Sequence, residues 1–250
     1  MELPSYVALS FMAAQTRATD VTAANLANAG TAGFKAERVL FSDWLSPQPG
    51  ITGPKGHIPG SSPVAFVQDR ATYREQAEGT LTHTGNPLDL AIAGEGYFTV
   101  DTPRGPRLTR AGRFTPQPDG TLAEASGAAL LDTTGQRIRL SAADVTLTVS
   151  ANGTLESENG PLGRIGVVQP DDPNRMTPEG ATALRPDTGT TAVAAPRIVQ
   201  GAIEDSNVQP ILEMTRMMSG LRQFQFAAQF VEAEATRQQS AIDKLTQNKG

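Results

Sequence analysis

From Met214 to Leu245 the chain places Met214, Met217, Leu221, Phe224, Ala228, Val231, Ala235, Gln238, Ile242 and Leu245 at alternating spacings of three and four. Only Gln238 in that series is polar, and only Gly220 interrupts the run with a helix-weakening residue. A seam of this period restricts the stretch to one long helix that packs along its length against other helices. Start signals lie just upstream. Ser206 or Asn207 can cap free N–H groups, and Pro210 falls in the first turn, where a missing N–H costs nothing. Glu213 comes early and Lys244 late, as the helix macrodipole favours. Phe226 and Phe230 form a second apolar line off the seam, so the helix has more than one adhesive face. Spacing alone leaves open whether its neighbours come from its own domain or from other chains.

A weaker seam of the same period crosses residues 5–28: Leu9, Met12, Thr16, Thr19, Ala23 and Leu26. Its many alanines favour helix and allow close approach. Asn28-Ala29-Gly30 supplies the stop. Two helices of matching period at opposite ends of one chain are natural partners, and what lies between them is then an insertion. Phe34–Leu45 carries apolar residues without clean periodicity. Pro47–Pro63 is rich in Pro, Gly and Ser and reads as an extended connector.

From about Val64 to Ile203 the period shortens to two, as in Leu88/Leu90/Ile92, Phe98/Val100 and Val145/Leu147/Val149. Gly94-Glu95-Gly96, Asp119-Gly120, Asn152-Gly153 and similar turns punctuate it at short intervals. This predicts an antiparallel β domain, with a long loop over 171–191. The expected fold is α+β. Terminal helical regions (1–45 and 201–250) pair in a coiled-coil-like stalk, a connector covers 46–63, and the inserted, mainly antiparallel β domain covers 64–200.

The chain has 250 residues, enough for a sizeable core, and a net charge of −5. That charge argues against nucleic acid and anionic membrane surfaces as partners. No run of 18 apolar residues exists to insert in a membrane. Without cysteine there are neither disulfides nor thiolate metal sites. Met1-Glu2-Leu3-Pro4-Ser5 has no basic or apolar region of a signal peptide. No catalytic set stands out. Gly94-Glu95-Gly96 lacks the third glycine and the following helix of a dinucleotide loop. His57 and His83 have no second ligand at metal spacing. Neither an enzyme, a metal nor a cofactor is expected. A carbohydrate- or peptidoglycan-binding β domain is the rival reading, disfavoured by the one Trp, Trp44, outside the β domain and by only three Tyr.

Four stretches resemble one family. Ala23-Ala24-Asn25-Leu26-Ala27-Asn28-Ala29-Gly30-Thr31-Ala32-Gly33-Phe34-Lys35 resembles the A-N-N-[IL]-A-N-x-x-T-x-G-F-K motif of bacterial flagellar rod and hook proteins, with Ala24 for the usual Asn. Thr84–Phe98 resembles the family's T-G-x-P-L-D-[LV]-A-I-x-G-x-G-[FY]-F, and Leu108–Phe114 its Y-T-R-[AD]-G-x-F. Gly201–Val208 with Met217, Arg222 and Phe224 is similar to G-x-L-E-x-S-N-V…M…R-x-[FY]-E, with Gln225 for the last Glu. The motifs run in family order through the chain, and residues 115–200 match less distinctly.

The resemblance implies a structural subunit of the flagellar basal-body rod, an axial assembly that crosses the periplasm and transmits torque. Length, Pro210 and Met214 point to the proximal rod rather than a distal rod or hook subunit. Expected partners are other proximal and distal rod subunits, copies of the chain itself, and the flagellar type III export apparatus, which uses no cleaved signal. The expected assembly residues are Leu9, Met12, Asn25, Leu26, Asn28, Met214, Met217, Leu221, Phe224, Ala228, Val231, Ile242 and Leu245. Phe41-Ser42-Asp43-Trp44-Leu45 resembles the family's F-x-x-x-Φ export-gate element; packing of Phe41 and Leu45 against the domain is the other reading. A single antiparallel helix pair in water is marginal, so the termini are expected to order on assembly.

Overall fold

A computed structural model describes residues 3–46, 52–53, 56–57 and 64–247, with side-chain burial given for 5–42 and 71–244. The chain divides into two compact units. The first contains residues 1–26, 37–73 and 209–250, and the second residues 27–36 and 74–208.

The first unit is built on helices α1 (Leu3–Ala27) and α2 (Pro210–Gln247). With them go the paired strands β1 (Glu37–Ser46) and β4 (Val64–Arg74) and the small ladder β2 (Thr52–Gly53) with β3 (Gly56–His57). The rest of the Pro/Gly connector lies outside the described residues. Phe34–Leu45, without clean period in the sequence, thus becomes largely strand. At 38 residues α2 is about 57 Å long. Pro210 opens it, and the Gln209 carbonyl accepts the first helical bond, from Glu213 N at 3.0 Å. Ser206 and Asn207, expected as caps, are used elsewhere: Ser206 Oγ accepts from Val208 N, and Asn207 bonds Ala36, Glu75 and Ala77.

The two helices meet in an antiparallel sense. Asn25 Nδ2 donates to Glu213 Oε2 at 3.4 Å, and Gln15 bonds Gln223. A Cβ on Gly220 would stand 3.4 Å from Thr19 Oγ1, so this glycine sits where the helices approach.

The second unit is mainly antiparallel sheet. Its largest sheet takes the order β16 (Met176–Pro178), β17 (Leu184–Pro186), β8 (Gly105–Thr109), β7 (Tyr97–Thr102), β11 (Ala129–Leu130), β10 (Leu122–Glu124) and β9 (Phe114–Pro116). Strand β15 (Val167–Pro170) also pairs with β7 and carries β18 (Thr190–Ala192). Smaller sheets join β12 (Leu147–Val149), β13 (Thr154–Ser157) and β14 (Gly160–Arg164); β6 (Leu90–Ile92) with β19 (Ile198–Gln200); and β5 (Leu81–His83) with β20 (Ala202–Glu204). Phe98 and Phe114, both fully buried, meet edge-on at 5.6 Å. Around them pack Leu90, Ile92, Leu122, Leu130, Leu155 and Ile165.

Two local expectations differ from the structure. Residues 171–191 are not one long loop, because β16–β17 form a hairpin whose Met176 and Leu184 pack with Tyr97 and Leu108. Val145 does not continue the β12 alternation. It is 83 % exposed, and its N–H is held by the Glu158 carboxylate at 2.7 Å.

Candidate functional site

The surface of the helices is the first candidate. In α1 the buried side chains are Ala8, Ala14, Val21 and Asn25; in α2 they are Glu213 and Glu234. All are small or polar. No large apolar side chain of either helix is buried among the described residues, although large apolar side chains are abundant. Ile211, Leu212, Met214, Met218, Leu221, Phe226, Phe230 and Ile242 of α2 are exposed, as are Tyr6 and Leu9 of α1. On a helical projection Ile211, Met214, Met218 and Leu221 share one face, and Leu212, Phe226 and Phe230 another.

The expected assembly residues divide accordingly. Leu9, Met214, Leu221 and Ile242 face solvent, while Met12, Leu26, Asn28, Met217, Phe224, Ala228 and Val231 are half-buried. Asn25 is fully buried, and the side chain of Leu245 lies outside the described residues. The inward stripe of α2 runs through Glu213, Met217, Gly220, Phe224, Val231, Glu234 and Gln238. It shares part of the sequence seam and turns Met214 and Leu221 outward; Ile242 lies on the line of Phe224 but is exposed. Phe41, on β1, is exposed; the Leu45 side chain is not described.

A polar cluster holds the first unit where α1 ends, β1 begins and α2 begins. Asn25 makes a reciprocal pair with the Glu37 backbone, receiving Glu37 N on Oδ1 at 2.8 Å and giving Nδ2 to Glu37 O at 2.9 Å. Buried Glu213 accepts from Asn25, pairs with Arg38 at 2.9 Å and contacts Arg216 one turn on. Asn25 fits this role because one amide supplies both a donor and an acceptor.

A second cluster lies within the β unit and gathers residues from all four motifs. Glu204 of β20, 1 % exposed, accepts on Oε1 from Lys35 Nζ at 2.5 Å and Gly79 N at 2.9 Å, and on Oε2 from an Arg110 guanidinium nitrogen at 2.9 Å. Its backbone carbonyl accepts from Gly33 N at 2.7 Å. Arg110 also donates to the carbonyls of Ile92 and Gly94, and Lys35 to that of Ala77. Three residues after Glu204, Asn207 Oδ1 receives Ala36 N at 2.8 Å while its Nδ2 reaches Glu75 O and Ala77 O. Phe34, Ala36 and Val208 pack together beside these bonds. Gly33 must be glycine: its φ is +72°, and a Cβ would fall 2.2 Å from the Arg110 carbonyl carbon. Burial lowers the Lys35 pKa, and the Glu204 contact offsets only part of that. Burial raises that of Tyr97, whose ring lies 5.4 Å from the Arg110 guanidinium carbon. The sequence showed these residues as motif positions. It did not show that they converge, because the partners are separated by up to 171 positions.

Hollows on the β unit offer little for a ligand. Three, of about 410, 510 and 430 Å³, have no aromatic lining, and a fourth of about 210 Å³ beside Lys35 and Arg110 has Tyr97. Among the described residues no group of His and acidic side chains has the geometry of a metal site, and no helix is long and apolar enough to cross a membrane.

Comparison with known proteins gives three separate family matches along the chain. Residues 6–35 match the family described as "Flagella basal body rod protein", 91–157 the "Flagellar hook protein FlgE/F/G D1 domain", and 199–244 the "Flagellar basal body rod FlgEFG protein C-terminal". The chain is 36 % identical to the flagellar basal-body rod protein FlgF of Caulobacter vibrioides over 247 residues, covering 98 % of each chain. It is also 36 % identical to FlgF of Mesorhizobium japonicum over 243 residues, covering 96 % of each. Identity to the basal-body rod protein FlgG of Bacillus subtilis is 30 % over 229 residues, 82 % of this chain and 85 % of the relative. Near-complete coverage at that identity, with the motif residues meeting in one buried cluster, means that the chain belongs to the flagellar basal-body rod protein family and is a structural subunit of that rod.

Proposed function

We propose that the chain is a proximal-rod subunit that assembles axially through the outward faces of α1 and α2, with copies of itself and with other proximal and distal rod subunits. It acts as a load-bearing element and not as a catalyst. The observation that carries this reading is the uncovered apolar surface of the helices: Leu9, Ile211, Met214, Met218, Leu221, Phe226 and Phe230 are exposed, while the apolar side chains on the inward stripe, Met217, Phe224 and Val231, are only half-buried. A long helix with two uncovered apolar faces gains most of its burial from neighbours, and interlocking of such helices gives an axial assembly its stiffness. The pairing of α1 with α2 extends along the expected stalk once neighbours cover those faces. The similarity to relatives named FlgF supports the proximal position. Delivery to the periplasmic rod through the flagellar type III apparatus follows from the family resemblance, with Phe41 accessible on β1 for the export-gate contact.

The test is Leu221→Asp. Leu221 is 48 % exposed, so the change leaves the isolated subunit folded and places a charge in the proposed interface, where a desolvated carboxylate is costly. A strain carrying only this variant is expected to build no complete rod and not to swim. Normal swimming with rods of normal length would remove the helices as the assembly surface.

A further inference from the structure

We propose that Glu204 is a positioning residue: with Lys35 and Arg110 it closes a clamp inside the β unit that joins the segment leaving α1 to the segment entering α2, and this clamp is closed before the subunit assembles. The role of the clamp in assembly rests on the reading of the helices given above. Its existence in the free subunit does not.

The clamp is made within one compact unit. α1 ends at Ala27, and the chain from there to Ala36 belongs to the β unit; Val208 ends that unit two residues before α2 begins. Gly33, Lys35 and Ala36 on one side are bonded to Glu204 and Asn207 on the other, and Phe34 packs on Val208. The points from which both helices depart are therefore fixed to each other by groups that need nothing from the helices.

Burial makes the clamp all-or-none. Lys35, Arg110 and Glu204 are each at least nine-tenths buried, and two cations share one carboxylate. The carbonyls of Ala77, Ile92 and Gly94 take further donors of the two cations, and Arg110 Nε is buried without a partner. Opening one link leaves a buried charge without its partner, which costs far more than a solvent-facing pair would. A group of this kind contributes uniqueness of register more than net stability. Here the register is that of β20 against β5, Glu204 opposite Leu81. A slip of one residue would present Ile203 or Asp205 to Lys35 and Arg110, and would shift the start of α2 relative to the end of α1. Holding the two departure points together raises the effective concentration of one helix for the other, so pairing begins within the subunit rather than between strangers.

The experiment places spin labels at Gly30→Cys and Gln209→Cys in the full chain, which has no cysteine of its own. Gly30 has open space around it and Gln209 is exposed. In the isolated subunit a single narrow distance distribution is expected. Adding Lys35→Met removes the excess cation, leaves the Glu204–Arg110 pair balanced and keeps the β core folded, which the Phe98 and Leu130 amide signals report. It is expected to abolish the narrow peak and, in cells, to lower the number of complete basal bodies. A narrow peak that survives Lys35→Met overturns the positioning role, as does a broad distribution in the parent chain, which would mean the clamp closes only on assembly. Loss of the peak with undiminished basal bodies also overturns it. If Leu221→Asp builds normal rods, the reading of the helices fails while the distance measurement on the free subunit stands.

Discussion

Replacing Phe226 and Phe230 together with glutamine separates the stability of the subunit from the strength of its assembly. Phe226 is 70 % and Phe230 50 % exposed, so neither supports the chain's own core. Glutamine is a good helix former, so α2 itself is not weakened. Fully burying a phenylalanine is worth about 1.5–3 kcal/mol. The part these two leave uncovered then amounts to about 2–3.5 kcal/mol per contact, or about 30- to 300-fold in an association constant. The loss recurs at each subunit, so a rod that adds subunits cooperatively should stall early. Urea denaturation of the isolated protein reads the first quantity, and its unfolding free energy should match the parent within about 0.5 kcal/mol, as for a surface change. Basal bodies purified from cells carrying only the variant read the second, and complete rods should be rare. A variant that assembles at parental yield refutes the reasoning. So does one that unfolds at distinctly lower urea, which would place the rings in the subunit's own packing.

Two other substitutions probe the interior. Glu124 is buried, and desolvation raises its pKa above the ordinary 4.5 despite the bond from Ser126. A carboxyl whose folded pKa is raised costs nothing below the unfolded pKa and progressively destabilises as pH climbs through the folded one. Glu124→Gln should therefore raise the urea midpoint at pH 7 and leave it unchanged at pH 4; no difference between the two pH values would contradict the buried-charge assignment. Glu213→Gln removes the carboxylate that holds Arg38 and Asn25. Hydrogen bonds to charged groups are worth about 1.5–3 kcal/mol, and Arg38 can still reach water, so a loss of about 1–3 kcal/mol in the first unit is expected. Hydrogen exchange of the amides around Asn25 in assembled rods checks this, with unchanged rates as the refuting outcome.

Much of this architecture could be read from the residues in sequence. The period of Met217, Phe224 and Val231 made α2 legible, and Asn28-Ala29-Gly30 marked the end of α1 within a residue. Which side of α2 faces inward was only partly legible: Met217, Phe224 and Val231 of the seam lie on the inward stripe, but Met214 and Leu221 of the same seam are exposed. A hydrophobic criterion passes over the other inward positions, Glu213, Gly220 and Glu234. The cap was misplaced for a related reason: Ser206 and Asn207 suit an N-cap by type, but Asn207 can satisfy three backbone groups of the β unit, a larger gain than one helix N–H. Residues 171–191 looked like a loop from their Pro, Gly and Asp content. Their strands are three residues each and owe their order to Met176 and Leu184 packing with Tyr97 and Leu108, a tertiary effect with no local signature. Lys35, Arg110 and Glu204 were visible only as members of three separate motifs; their convergence depends on the topology of the β unit.

If the rod assembles as proposed, α1 and α2 owe their order to neighbouring subunits. Hydrogen exchange measured on the isolated chain and again on assembled rods tests it most directly. Exchange is expected to be fast across 5–26 and 211–244 in the isolated chain, beside slow exchange at Gly33, Ala36 and Gly79 and in the β core, with the helices becoming slow only in the rod. Helices that are already slow in the isolated chain, and gain nothing on assembly, would contradict it.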